Sequence, residues 1–178
     1  MKNKLRVFGL LFLIIISYSL AYPQYYFGKN KVQYTHFDWE VLTTSHFQIY
    51  FYAEERELAE ITGKLAEESF KFLENKFNHY IFQPIPLIIY SSPNYFEQTN
   101  VIPNLLPENV GGFTEFLKGR MVLPFDGSYF EFASVLRHEL VHVFTYSKLY
   151  SVMKAHKKLN FSEPPLWFTE GMAELWSR

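Results

Sequence analysis

The chain has 178 residues, of which 20% are aromatic, and this length and apolar content fit one ordinary domain with a hydrophobic core and exclude a disordered segment. The formal net charge is −1 and no concentrated basic surface is visible, which argues against nucleic acid as a partner. The absence of cysteine excludes disulfides and a cysteine-linked lipid anchor.

Residues 1–21 have the pattern of a secretory signal peptide. Lys2, Lys4 and Arg6 precede an almost wholly apolar run, and Ser19-Leu20-Ala21 offers small residues at the cleavage position. The run of about 14 apolar residues is shorter than the roughly 20 of a spanning helix, so we expect cleavage after residue 21 and no remaining membrane anchor. The mature part then carries 14 Lys+Arg against 18 Asp+Glu, a formal charge of −4. We expect an exported protein, either periplasmic or extracellular.

The first elements after the signal are an extended lead-in, a strand and a long helix. Residues 22–44 show no sustained period and are predicted as the lead-in. The segment from His46 to Tyr52 alternates and predicts a strand. Residues 53–79 predict a long amphipathic helix with a solvated charged face. The buried stripe of that helix is expected to contain Leu58, Ile61, Leu65, Phe72 and Leu73.

The middle of the chain predicts three more strands. Leu87 to Tyr90 is a short apolar run typical of a buried strand, and the turn-forming residues from Ser91 to Pro107 indicate a loop. Residues 111–116 and 119–125 are predicted as two strands joined by a turn. Pro124 suits an edge strand better than a central one.

The last part of the chain predicts two helices. One runs from Tyr129 to Tyr146 with Ser128 or Asp126 as N-cap, and a polar connection follows as far as Ser162. The other covers Leu166 to Arg178, after two prolines. The buried stripe of the first helix is predicted to contain Val135, Leu136, Leu140, Val143 and Phe144. Taken together, the elements predict an α+β domain over residues 45–178 with one small mixed sheet.

A possible metal site lies in the first of these helices, at His138-Glu139-Leu140-Val141-His142. Residues four apart share one helix face, with Cβ atoms about 5 to 6 Å apart, so both imidazoles can reach one zinc ion. Glu139 points about 100° away around the axis and can flank the metal without binding it. Because zinc lowers the pKa of a bound water to about 7, such a carboxylate can act as general base. Chance gives about 0.02 occurrences of the motif in this composition, so an accidental histidine pair is the weaker interpretation.

A catalytic zinc also needs a third protein ligand and an open fourth position. Glu170 and Glu174 lie one turn apart on one face of the last predicted helix, next to Gly171, which lets another backbone approach closely. One carboxylate could bind the metal, and the other could orient a histidine through its free N–H.

These two segments together resemble the gluzincin zinc metallopeptidases, specifically the peptidase MA-like group. The resemblance is carried by HELVH at residues 138–142 and by WFTEGMAE, whose Glu170 follows His142 by 28 residues. It implies that His138, His142 and Glu170 bind zinc, that Glu139 is the general base, and that Glu174 is an acid behind the ligands. It further implies a gluzincin-like fold that hydrolyses peptide bonds in a peptide or protein substrate through a metal-activated water.

The resemblance also suggests where a substrate binds. Gluzincins have a strand along the upper rim of the cleft, with which an extended peptide pairs. Gly119, Arg120, Met121 and Val122, shortly before the metal helix, are the candidates for this strand, although a plain sheet strand is an equal interpretation. Gluzincins often use a tyrosine or histidine to stabilise the tetrahedral intermediate. Tyr146 and Tyr150 are the nearby candidates for this role, although packing in the core or at the surface is the better interpretation of both. The other four histidines have no partner pattern and are expected at the surface or an edge: His36, His46, His79 and His156.

The whole chain is similar to the amino-terminal part of bacterial exported proteins in which such a domain precedes a Tol-type β-propeller. We therefore expect a bacterial cell-envelope protein whose peptidase domain is incomplete at residue 178 and whose full-length form has a carboxy-terminal propeller. An alternative from another class is a catalytically silent envelope interaction module that keeps the gluzincin scaffold, with or without a structural zinc. Glu139 favours the enzyme, because a structural site has no use for a base.

Overall fold

The computed structural model describes residues 33–102, 110–115, 118–156 and 164–178 of the chain. The predicted signal peptide and residues 22–32 of the lead-in lie outside the described residues. The strands are β1 (Trp39–Thr43), β2 (Phe47–Tyr52), β3 (Ile85–Tyr90), β4 (Phe113–Glu115) and β5 (Arg120–Pro124). The helices are α1 (Arg56–Phe77), the single turn α2 (Pro93–Phe96), α3 (Tyr129–Ala155) and α4 (Leu166–Ser177), and a short 3₁₀ turn (Ala53–Glu55) precedes α1. No helix within these ranges is both long and apolar enough to cross a membrane.

The five strands form one mixed sheet in the order β1-β2-β3-β5-β4. The three inner strands are parallel, and β1 and β4 pair antiparallel with them at the two edges. Helix α1 lies between β2 and β3 in sequence, as a parallel pair requires a crossover connection. The predicted α+β class with one small mixed sheet is confirmed.

The main core lies between one face of the sheet and helices α1 and α3. The alternation predicted for β2 is confirmed, because Phe47, Ile49 and Phe51 are all buried. On α3, Leu136 and Leu140 are fully buried, so the predicted stripe faces this core. Burying each such side chain contributes about 1.5–3 kcal/mol, and the sum fixes α3, the helix that carries HELVH, against the sheet.

The buried face of α1 differs from its prediction at Phe72, which is 38% exposed. The stripe runs instead through Phe70 and small residues such as Ala59 and Ala66, which let α1 lie close to the sheet. The ring of Phe72 lies under the guanidinium of Arg137, at 5.5 Å from its centre. Phe70 and Phe72 lie two residues apart and point about 200° away from each other around the helix axis, so only one of the two rings can face the core.

Helix α3 is longer than predicted, and the expected polar connection from Tyr146 to Ser162 begins only after Ala155. No glycine or proline interrupts this stretch, so its polarity alone does not end the helix. Tertiary contacts hold it: the ammonium of Lys148 donates a hydrogen bond to the Phe77 carbonyl. The ring of His79 and the hydroxyl of Ser147 are also hydrogen-bonded, at 2.9 Å, so His79 has a partner that its sequence context did not reveal.

The predicted lead-in contains an edge strand, because Trp39–Thr43 pairs along its length with β2. The expectation that Pro124 marks an edge strand is wrong, since β5 lies between β3 and β4. Phe125 donates its N–H to the carbonyl of Tyr90 in β3. Because consecutive N–H groups of a strand point to opposite sides, the position of the missing N–H of Pro124 faces away from β3. The register with β4 extends only as far as Val122, and no ladder hydrogen bond is lost.

His46 is also not the unpartnered edge residue that we expected. Its Nδ1 is 2.6 Å from Oε2 of Glu67, and its ring stacks on Phe70 with centroids 3.9 Å apart. This pair ties the β1–β2 turn to α1. His36 and His156 are exposed, as predicted.

Candidate metal centre

Helix α3 presents its two motif histidines on one face. Ser128 caps the helix by accepting the N–H of Glu131 at 3.3 Å, in agreement with the prediction. Ten residues later, His138 and His142 lie one turn apart, and their Nε2 atoms are 3.3 Å from each other. Both side chains point towards the same spot outside the helix.

Helix α4 brings a carboxylate to this spot. Ala173 is fully buried, and Trp176 packs edge-on against Phe77 with centroids 4.8 Å apart, so α4 is held against the core. Glu170, one turn before Ala173, has Oε2 at 3.3 Å from Nε2 of His138 and at 3.6 Å from Nε2 of His142. The three residues predicted as ligands are therefore adjacent in space.

The spacing of these three atoms fits a tetrahedral metal ion. Ligand atoms with bonds of 2.0 to 2.1 Å to a tetrahedral centre lie about 3.3 Å apart, close to the three distances above. Two imidazole nitrogens and one carboxylate oxygen are a donor set suited to zinc. Burial lowers the pKa of His142, which favours the neutral imidazole that binds metals. Among the described residues, these three form the one group able to hold an ion.

Glu139 lies outside this ligand triangle and is buried, with 7% of its surface exposed. Burial raises the pKa of its carboxyl group to about 7, a hydrogen bond from Thr114 opposes this rise, and the negative charge of Glu170 adds to it. A carboxyl group that exchanges a proton near neutral pH is suited to general acid–base work.

Thr114 holds this carboxylate and was missed by the sequence analysis. Its hydroxyl lies 2.8 Å from Oε2 of Glu139 and 3.0 Å from the Glu139 carbonyl, and donates its one proton to these acceptors. Thr114 lies in the middle of β4, so only the tertiary fold brings it to α3. The sequence contained one usable signal, a Gly-Gly pair two residues earlier that permits close backbone approach.

Gly112 accounts for that close approach. A Cβ atom at this position would lie 2.5 Å from Cδ2 of Leu123 and 3.1 Å from Cγ1 of Val135. A side chain there would have to displace the packed side chains of Leu123 and Val135 or move the start of β4 away from them. The glycine therefore helps to keep Thr114 within hydrogen-bond distance of Glu139.

A cavity of about 480 Å³ opens over the three metal-ligand candidates and Glu139. Residues of β4 and its preceding turn form one wall, and α3 and α4 form the others. In the described part of the chain, β4 pairs with a strand only on its β5 side. Phe113 and Thr114 of this edge strand line the cavity, so β4 lies along it.

The structure corrects the predicted position of the rim strand. Arg120, Met121 and Val122 lie in β5, which pairs with β3 on one side and with β4 on the other. Met121 and Val122 are fully buried, and Gly119 lies in the preceding turn with φ of 60°. A peptide cannot add to a strand with both edges occupied. The available edge belongs to β4, the strand before the predicted one.

Glu174 is also placed differently from the expectation that it orients a histidine. It lines the cavity, but Oε1 accepts hydrogen bonds from Arg178, one of them from Nε at 3.1 Å. The buried Nδ1 of His142 has no hydrogen-bond partner among the described residues. Glu174 therefore does not orient the ring of His142 in this structure.

Comparison with protein-family models, with curated proteins and with solved structures found no match to this chain. The chemical capacity of the site follows from its own geometry. It offers three converging donors for one divalent cation, a buried carboxyl group beside them, and an open cavity above both.

Proposed function

We propose that this chain is a zinc-dependent peptidase of the gluzincin, peptidase MA-like type. The observation that carries the proposal is the convergence of Nε2 of His138, Nε2 of His142 and Oε2 of Glu170 within 3.6 Å of one another. Glu139, buried in the same helix and beside this triangle, adds the base that peptide hydrolysis needs.

Each residue has a defined task in the proposed reaction. His138, His142 and Glu170 would hold zinc, which when bound would supply Lewis-acid polarisation of a water and of the peptide carbonyl. Glu139 accepts a proton from the water while the water oxygen forms a bond to the carbonyl carbon. Glu139 then donates that proton to the leaving nitrogen as the C–N bond breaks, and returns to its starting state. The hydroxyl of Thr114 binds one carboxylate oxygen, which leaves the other for the water.

A peptide is the substrate that the surroundings of the site support. The edge strand β4, which lies along the cavity, can pair with an extended chain through backbone hydrogen bonds. Such pairing holds a peptide of any sequence beside the ligand triangle. The predicted signal peptide supports action in the periplasm or outside the cell.

The alternative, a silent module with a structural zinc, is less well supported. Structural zinc sites are closed by four protein ligands, whereas the described residues offer three and an open cavity. Burial of an unneeded carboxyl group at Glu139 would also be a cost without a benefit.

The test measures zinc per chain by atomic emission and cleavage of a quenched fluorescent peptide mixture. Four proteins are compared: wild type, Glu170→Gln, Glu139→Gln and Glu131→Gln. The last is a matched control, because Glu131 is an exposed residue in the first turn of the same helix as Glu139.

We expect one zinc and peptide cleavage in wild type and in the Glu131→Gln control. Glu170→Gln should lose most of the zinc, and Glu139→Gln should keep the zinc but lose cleavage by at least about 100-fold, the usual contribution of a general base. Zinc binding without cleavage in wild type would favour the silent module. Equal cleavage by wild type and Glu139→Gln would contradict the proposed role of Glu139.

A further inference from the structure

A second cavity, of about 360 Å³, meets the metal-site cavity at Tyr146. This residue contributes to the walls of both cavities, and its ring lies nearly parallel to that of His142, at 20° between planes. The second cavity is formed by the last turns of α3, the segment before β3 and the β4–β5 turn. The second cavity therefore lies beside the metal-site cavity, further along α3.

The row of residues on α3 gives the distance between the two cavities. Ser134, His138, His142, Tyr146 and Tyr150 follow one another at four-residue spacing, and the first four line the metal-site cavity. The last two line the second cavity. Four residues rise about 6 Å along a helix, so Tyr150 is about 12 Å from His142 along the axis. An extended peptide covers that distance in three to four residues.

The chemistry of the second cavity differs from that of the metal site. Its walls are mainly apolar and include Ile81, Pro84, Ile85, Val143, Tyr146 and Tyr150. Lys118 is the one charged residue among its described lining residues, whereas the metal-site cavity contains three glutamates. The volume lies at the lower end of the range for ligand pockets, which suits one side chain better than a whole ligand.

We infer that the second cavity is a specificity pocket for a large apolar side chain of the peptide substrate, two to four residues from the cleaved bond. The inference rests on the proposed peptidase function and adds the class of substrate: peptides with Phe, Leu, Met or Tyr at one such position. The occupant belongs to the same peptide that lies over the metal site, because the two cavities share Tyr146 as a wall residue and follow one another along α3. A large apolar side chain in this cavity is removed from water and packs against an apolar wall, which is favourable. A side chain that is too small buries little apolar surface there.

The test uses the zinc-loaded full chain and a peptide mixture randomised around a fixed centre, with cleavage sites read by mass spectrometry. Wild type is compared with Tyr150→Glu, which puts a charge into the pocket wall. Tyr150 is 68% exposed, so this substitution does not remove core packing. The matched control is Val152→Glu, since Val152 is 48% exposed, lies two residues further in the same helix and lines neither cavity.

We expect wild type and Val152→Glu to prefer an apolar residue at one position two to four residues from the cleaved bond. The preference over Ala or Asp should be about tenfold in kcat/KM, as for other apolar pockets, and Tyr150→Glu should lose it while still cleaving. Cleavage without any apolar preference at these positions, or a preference unchanged in Tyr150→Glu, would overturn the inference.

A separate arm keeps the pocket testable if no peptide is cleaved, an outcome that would count against the proposed function. Zinc-loaded Glu139→Gln protein is titrated with N-acetylphenylalaninamide and with N-acetylglycinamide, and backbone amides are followed by NMR. The phenylalanine compound should shift the amides of Gly119, Ser147 and Tyr150, and the glycine compound should not. No shift at these residues with either compound would overturn the pocket independently of catalysis.

Discussion

The buried carboxyl group of Glu139 should make the metal-free protein less stable as the pH rises. Its pKa is raised from 4.5 to about 7 in the folded protein, chiefly by burial. Between pH 4.5 and about pH 7, the carboxyl group of Glu139 keeps its proton in the folded chain and has released it in the unfolded chain. The folded state therefore binds more protons in this window, and its stability falls as the pH rises from about 4.5 to about 7.

The size of the effect follows from the width of this window. One pKa unit corresponds to 1.36 kcal/mol, so the loss from Glu139 amounts to about 3 kcal/mol and is complete above about pH 7. In Glu139→Gln the amide is neutral at every pH and can still accept the hydrogen bond from Thr114. We therefore expect this variant to match wild type near pH 4.5 and to be about 3 kcal/mol more stable near pH 8.

The assay is urea unfolding of wild type, Glu139→Gln and Glu131→Gln at pH 4.5 to 8 with a chelator present. Other titrating groups, including His142 and Glu67, are common to all three proteins and cancel in the differences. The exposed Glu131 control should follow wild type at each pH. If the difference between Glu139→Gln and wild type stays constant from pH 4.5 to pH 8, the carboxyl group is not buried as described and our reasoning about Glu139 is refuted.

Three further predictions concern the parts around this carboxylate. Thr114→Val should lower kcat by about tenfold or more with zinc content unchanged, because a hydrogen bond to a charged group contributes about 1.5–3 kcal/mol. Thr114→Ser should restore kcat, and equal rates in both variants would refute the role of the hydroxyl. Gly112→Ala should cost about 1–3 kcal/mol in urea unfolding, since its Cβ would lie 2.5 Å from Leu123, and an unchanged midpoint would contradict the packing. Chelation should lower the melting temperature of zinc-loaded wild type and not that of Glu170→Gln, as only a protein that holds the metal loses stabilisation when it is removed; an equal drop in both would exclude Glu170 as a ligand.

The sequence predicted the site best where spacing within one helix decides the geometry. His138 and His142 had to share a face once the helix formed, and the apolar stripe at Leu136 and Leu140 fixed which face is buried. Glu170 could be named as the third partner only through its motif. Its distance from the histidines depends on how α4 packs, and local pattern does not contain that information.

Contacts between distant segments were the part that could not be predicted. Thr114 meets Glu139 because β4 is the edge strand and Gly112 allows it to lie close. The Gly-Gly pair permits a close approach, but a single sequence does not show which segment approaches. The rim strand was assigned to β5 for the same reason: strand order is a property of the sheet, not of the strand. The last third of α3, from Ser147 to Ala155, was missed because stabilising contacts there come from Phe77 and His79, at and just after the end of α1.

The charged partners show the same limit. Glu174 was expected beside a histidine, yet its Oε1 forms an ion pair with Arg178, which lies one turn further on the same helix. His46 had no evident partner in sequence, whereas Glu67 of α1 accepts its backbone N–H and lies 2.6 Å from its Nδ1. When several neighbours lie within reach of a carboxylate, the tertiary packing and not the motif decides which of them it pairs with.

X-ray absorption at the zinc K edge of the zinc-loaded full chain tests the central claim most directly. We predict a four-coordinate ion with two imidazole nitrogens at about 2.0 to 2.1 Å and oxygen ligands completing the shell, and loss of this spectrum in His142→Ala. A protein that binds no zinc, or a spectrum without imidazole scattering, would show that His138, His142 and Glu170 do not form a zinc site.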